Sequence, residues 1–82
     1  MKRICTEIPA TNYRVVIYES EDNEGEKSYC ISAEQDTKNT MCYLWEINED
    51  GYRAMDYSFA SDFNEAVKRH DVRVGQLLRR GW

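Results

Sequence analysis

One proline, four glycines and three cysteines are spread through 82 residues, and these scarcities exclude several architectures. Cys5, Cys30 and Cys42 are odd in number and widely spaced, which removes a disulfide framework and leaves reduced thiols. A zinc site completed by His70, the only histidine, would need ligand pairs roughly two to four residues apart, and the chain has none. Gly25, Gly51, Gly75 and Gly81 are too scattered for a phosphate-cradling loop or a dinucleotide fingerprint. No stretch approaches the ~18 uninterrupted apolar residues of a membrane span. Residues 1–7 lack the apolar run of a secretion signal, so a cytoplasmic location is expected, with no membrane association.

What remains suits a folded domain. Hydrophobic residues make up 41% of the chain and aromatic ones 12%, enough for a core, while 32% charged residues supply a solvated exterior. A chain this short hides only about 60% of its unfolded surface and cannot support two cores, so residues 1–82 are read as a single domain.

Most of the chain runs in period two. Residues 3–8 place Ile4, Thr6 and Ile8 on one side until Pro9, which has no N–H to donate, stops the strand. Residues 13–20 alternate Tyr13, Val15 and Ile17 against Arg14, Val16, Tyr18 and Ser20, with the β-branched and aromatic content that pleated surfaces favour. Residues 19–27 hold nothing apolar to bury and include Asn23 and Gly25, so they form a hairpin loop. Residues 28–33 return as a strand, and 34–40, polar throughout, read as a second connection. The most apolar run, 41–47, predicts a central strand with Met41, Tyr43, Trp45 and Ile47 on one face. Asp50-Gly51 then signals a hairpin, because both residues accept left-handed backbone angles cheaply. Residues 52–58 alternate weakly and read as an edge strand.

At Ser61 the period changes. Ser61 or Asp62 caps a helix, with Glu65 placed to complete a capping box, and Phe63, Val67, His70, Val74 and Leu77 recur at four and three spacing. Acids at its start and Arg79 and Arg80 at its end suit the helix dipole and favour one helix from 62 to about 80, ending close to Gly81. Gly75 costs about 1 kcal/mol relative to alanine inside it, so two shorter helices broken near 71–75 are the alternative. The expected fold is α+β: an antiparallel sheet of four to five strands followed by a C-terminal helix packed on one sheet face.

Charge divides along this order. Residues 19–65 carry thirteen acids (Glu19, Glu21, Asp22, Glu24, Glu26, Glu34, Asp36, Glu46, Glu49, Asp50, Asp56, Asp62, Glu65) against Lys27, Lys38 and Arg53, a net of −10, while both flanks are basic and the whole chain is −4. An acidic field repels nucleic acid and anionic lipid and attracts basic surfaces. The expected contact residues for a basic partner are Glu19, Glu21, Asp22, Glu24, Glu26, Glu34, Asp36, Glu49 and Asp50. The acidic loop lacks the ligand order of an EF-hand calcium site.

No catalytic or cofactor pattern emerges. His70 falls on the apolar helix stripe and reads as a packed or rim histidine, because no motif sets a Ser or Cys beside it. The carboxylates form no acid and base pair whose separation the sequence fixes. A non-enzyme without cofactor or metal is expected. One helix covers one sheet face, so Tyr18, Leu44, Met55 and Tyr57 would leave an open face rich in large apolar groups, suited to a protein interface or a homodimer.

In size, acidity, aromatic content and lack of motifs the chain is similar to the small inhibitors, such as anti-CRISPR and anti-restriction proteins, that phages and mobile elements use against host defence. The resemblance implies an inhibitor that acts as a nucleic-acid mimic, its acidic surface blocking the basic nucleic-acid-binding site of a partner protein. The alternatives are a nucleic-acid-binding regulator working through Lys68, Arg69, Arg73, Arg79 and Arg80, or a dimeric accessory subunit.

Overall fold

The computed structural model describes residues 2–38 and 41–80. Four strands, β1 (Lys2–Glu7), β2 (Tyr13–Glu21), β3 (Lys27–Asp36) and β4 (Tyr52–Ala60), pair antiparallel in sequence order, and one helix, α1 (Phe63–Arg80), follows them. The order α+β, with an antiparallel sheet and a C-terminal helix on one face, is as the periodicity predicts. In β2 the run of β-branched residues supplies the rigid side chains that a pleated, buried surface accommodates. It lies against β1 on one side and β3 on the other.

The helix closes one face. Val15 and Ile17 of β2, Tyr29 and Ile31 of β3, Ile8 beyond β1 and Ala60 of β4 pack with Ala66 and Leu77 of α1, and Tyr13, Val67 and Val74 flank them. Phe63 meets the Tyr29 ring edge-on at 5.6 Å. The helix is continuous through Gly75. Asp62 caps it: its carboxylate accepts the Asn64 N–H at 3.0 Å and its carbonyl the Ala66 N–H at 3.0 Å. Glu65 accepts from Arg69 at 3.2 Å, one turn on, and does not complete a capping box. Gly81, where the sequence ends the helix, lies outside the described residues.

Two expectations fail, the connection beginning at residue 34, where β3 continues to Asp36, and the strand at 41–47. Residues 41–47 do not form a central strand: Leu44–Glu46 is a single 3-10 turn, and only Ile47 keeps a bridge, to Arg53. The physical reason lies in β3, which extends through Glu34 and Asp36 rather than stopping at Ala33, and whose free edge is taken by β4 from Asp36↔Tyr52 onward. Thr37 then donates from its N–H and its hydroxyl to the Gly51 carbonyl, at 3.1 and 2.8 Å, which ties the end of β3 to the start of β4 and leaves residues 41–47 no edge of β3 to pair with. Asn39 and Thr40, the end of the expected connection, lie outside the described residues.

The weak alternation of residues 52–58 has its own cause. Between Ala33 and Glu34 the register shifts, so Ala33 faces Asp56, Glu34 faces Ala54, and Met55 is unopposed. This bulge puts both Ala54 and Tyr57 on the face away from the helix and breaks the period. β4 is an edge strand, as expected.

Candidate functional site

Three cross-strand rows span all four strands on the open face. They read Glu7, Arg14, Glu34, Ala54; then Cys5, Val16, Ser32, Tyr57; then Arg3, Tyr18, Cys30, Phe59. The first row sets a charged pair in the sheet's centre. Arg14 is 5% and Glu34 2% exposed. Arg14 Nε donates to Glu34 Oε1 at 2.8 Å, its second nitrogen donates to Asp50 at 3.1 Å, and its guanidinium lies 3.6 Å above the Tyr52 ring. Tyr18 donates its hydroxyl to the other Glu34 oxygen at 2.6 Å, and Arg3 donates to the same Asp50 oxygen that Arg14 holds.

The titration behaviour follows from these contacts. Burial lowers the Arg14 pKa, but the hydrogen bonds to Glu34 and Asp50 outweigh it and hold the guanidinium charged. Burial, with the Glu34 carboxylate as acceptor, pushes the Tyr18 phenol up to about 12. Hydrogen bonds from Arg3 and Arg14 hold Asp50 below the ordinary carboxylate value. Burial and the nearby Glu34 charge raise the Cys30 thiol, which disfavours the reactive thiolate.

Asp50 reaches Arg14 because residues 47–51 fold back over this face. The Asn48 carboxamide accepts the N–H groups of Asp50 and Tyr52, each at 3.0 Å, and Gly51 turns the chain at φ 82°. The loop leaves a cleft of about 860 Å³ whose floor includes Tyr18, Cys30 and Ala54, with Tyr57 and Phe59 at one side and Ile47 and Glu49 opposite. In the run expected to be a strand, Trp45 stands with Glu46, Arg53, Ala54 and Met55 around a hollow next to the cleft. Met41 is 97%, Tyr43 63%, Leu44 86% and Trp45 79% exposed. The Tyr43 and Trp45 rings stack at 4.4 Å and 5°. Glu46 braces them, accepting the Tyr43 N–H at 3.1 Å and facing Arg53 at 3.5 Å.

The nine acids expected to meet a partner do not form one surface. Glu34 is buried against Arg14, so it cannot be displayed, and Asp50 is bound to Arg3 and Arg14. Asp36 is half-buried at the end of β3 and accepts the Lys38 N–H. Glu49 stands exposed on the turn over the cleft. Glu19, Glu21, Asp22, Glu24 and Glu26 share the β2–β3 hairpin, where Glu19 faces Lys27 at 3.8 Å. At the tip the Asp22 carboxylate accepts the N–H groups of Glu24 and Glu26, both at 2.9 Å, and Gly25 sits at φ 84°, so the acidic tip is a built turn.

On the helix side His70 Nε2 meets the Thr6 hydroxyl at 2.8 Å and Nδ1 meets Asp71 at 3.0 Å. A hydroxyl, an imidazole and a carboxylate in series have the order of a nucleophilic triad. Neither the open-face cleft nor the grooves beside the helix are lined by any of the three, so the contact ties β1 to α1, as a packed histidine does. Among the described residues no group of three or more His, Cys, Asp or Glu side chains could hold a metal ion, and no helix is long and apolar enough to cross a membrane.

Sequence reasoning missed the Arg14 network and the exposed run. The signal for the first was a single arginine inside an otherwise apolar strand, opposite an acid once β3 is extended. No family model matches the chain, and no curated protein or solved structure is significantly similar to it.

Proposed function

We propose that the chain is a small non-enzymatic binding protein whose acidic β2–β3 hairpin docks on a basic, nucleic-acid-binding surface of a partner protein and blocks it, in the manner of the inhibitors that phages and mobile elements direct against host defence. The observation that carries this reading is the built turn at the hairpin tip. Strands paired as far as Glu21 and Lys27, with Asp22 locking the turn, fix the backbone that carries Glu21, Glu24 and Glu26 together at an exposed tip. A preorganised array loses little freedom on binding, and its field steers a basic partner toward it.

The basic helix supports the nucleic-acid-binding alternative less well. Arg69 donates to the Phe59 carbonyl at 2.7 Å and pairs with Glu65, and Arg73 holds Asp56, so these guanidinium groups serve the fold. The reading is tested by retaining host proteins on the tagged chain at low and high salt, with and without competing DNA. The hairpin acting as a phosphate mimic requires retention that falls with salt and with DNA, and that is lost in Glu21→Lys, Glu24→Lys, Glu26→Lys. Equal retention at both salt concentrations, or direct retardation of DNA by the chain, overturns it.

A further inference from the structure

The exposed apolar residues Met41, Tyr43, Leu44 and Trp45 are not accounted for by an acidic hairpin. We infer that the open face of the sheet is the contact between two copies of this chain, in which the ridge of Leu44 and Trp45 of each copy enters the cleft over Ala54 of the other.

Area is the first argument. Aromatic side chains bury roughly 150–250 Å² each, so the exposed parts of Tyr43, Trp45, Tyr57 and Phe59 with Met41 and Leu44 amount to about 800 Å². The largest apolar patch on a monomer is roughly 300–600 Å², whereas one partner in a standard stable interface gives about 800 Å². Shape is the second. A two-fold contact brings the same patch against itself, so a convex feature must lie beside a concave one on a single face. Here Trp45 stands with Glu46 and Ala54 around a hollow next to the cleft of about 860 Å³, and Glu46 and Ala54 line both. Preorganisation is the third: the Tyr43–Trp45 stack and the Glu46 brace hold the ridge in one conformation before contact.

Charge separates this contact from the hairpin's. Each copy carries −4, so the copies repel and screening by salt strengthens their association, while binding of a basic partner weakens with salt. The two therefore fail independently.

Sedimentation equilibrium of the full chain at increasing concentration and at two salt concentrations tests the inference. The expected result is a mass rising from 9.7 kDa toward twice that value, more readily at high salt. Leu44→Glu is expected to raise the dissociation constant by ~30-fold or more, the effect of a buried hot-spot residue. Ala54→Arg, which fills the cleft, should do the same. Neither change touches the helix-side core, and unchanged far-UV circular dichroism identifies the folded variants. If the ridge of one copy enters the cleft of the other, mixing the two variants restores a dimer, because one contact then pairs opposite charges and the other is native. A wild-type chain that stays monomeric throughout, a dimer that survives Leu44→Glu, or a mixture of the variants that stays monomeric overturns the inference. So does a ridge that captures a different protein while the chain alone remains a monomer.

Discussion

The Arg14 guanidinium lies 2.8 Å from the Glu34 carboxylate, directly across the β2–β3 ladder, and both residues are closed to solvent on the side of the sheet that the helix leaves uncovered. An ion pair this well buried is stable only while both charges and their further hydrogen bonds are present, here from Tyr18 and to Asp50.

Removing one partner should therefore be costly. Glu34→Ala strands the Arg14 charge and is expected to lower stability by about 3–5 kcal/mol, while Arg14→Met with Glu34→Leu recovers most of the loss by replacing the pair with apolar groups. Urea denaturation followed by circular dichroism measures both. A loss below ~1 kcal/mol for Glu34→Ala, the range of exposed pairs, would mean that the pair is open to water.

The Tyr18 phenol predicts an alkaline limb. Its folded pKa, about 12, stands above the ordinary 10.0, so its contribution is complete below 10.0 and is lost as pH rises toward 12. Wild-type stability should fall across that window, and Tyr18→Phe should remove part of the fall while lowering stability at neutral pH by about 1–2 kcal/mol through the lost hydrogen bond to Glu34. Equal alkaline slopes for the two proteins would contradict the assignment.

Asp50 predicts the opposite limb. Arg3 and Arg14 hold its folded pKa below the ordinary 3.8, so its contribution is present above that value and is lost as pH falls through the depressed one. The stability difference between wild type and Asp50→Asn should shrink as the solution is acidified. A difference that is constant with pH would show that Asp50 does not engage the arginines as a carboxylate.

Two glycines should respond with opposite signs. Gly51 turns the 37–51 loop at φ 82°, where a Cβ is strained, so Gly51→Ala is expected to destabilise by about 1 kcal/mol. Gly75 lies inside α1, where an added Cβ would meet only the end of Arg79 at 3.6 Å, so Gly75→Ala should stabilise by up to about 1 kcal/mol. Thermal unfolding midpoints check both.

The sequence by itself determined the strands, the helix and the covered face. Alternation at Ile4, Thr6 and Ile8 and at Tyr13, Val15 and Ile17, followed by the helical spacing of Phe63, Val67, His70, Val74 and Leu77, leaves one arrangement that turns both sets toward each other. It also determined that the hairpin tip is acidic, since 19–27 holds nothing apolar to bury. Only the tertiary structure decided what the other face does. Residues 41–47 have the composition of a central strand, but pairing depends on which edge is vacant, and β4 occupies the edge of β3 that the run would need. Period two likewise records which side a residue faces and not what stands opposite. That is why Glu34 reads as one more surface acid in the sequence, and is buried against Arg14 once register sets the two across from each other.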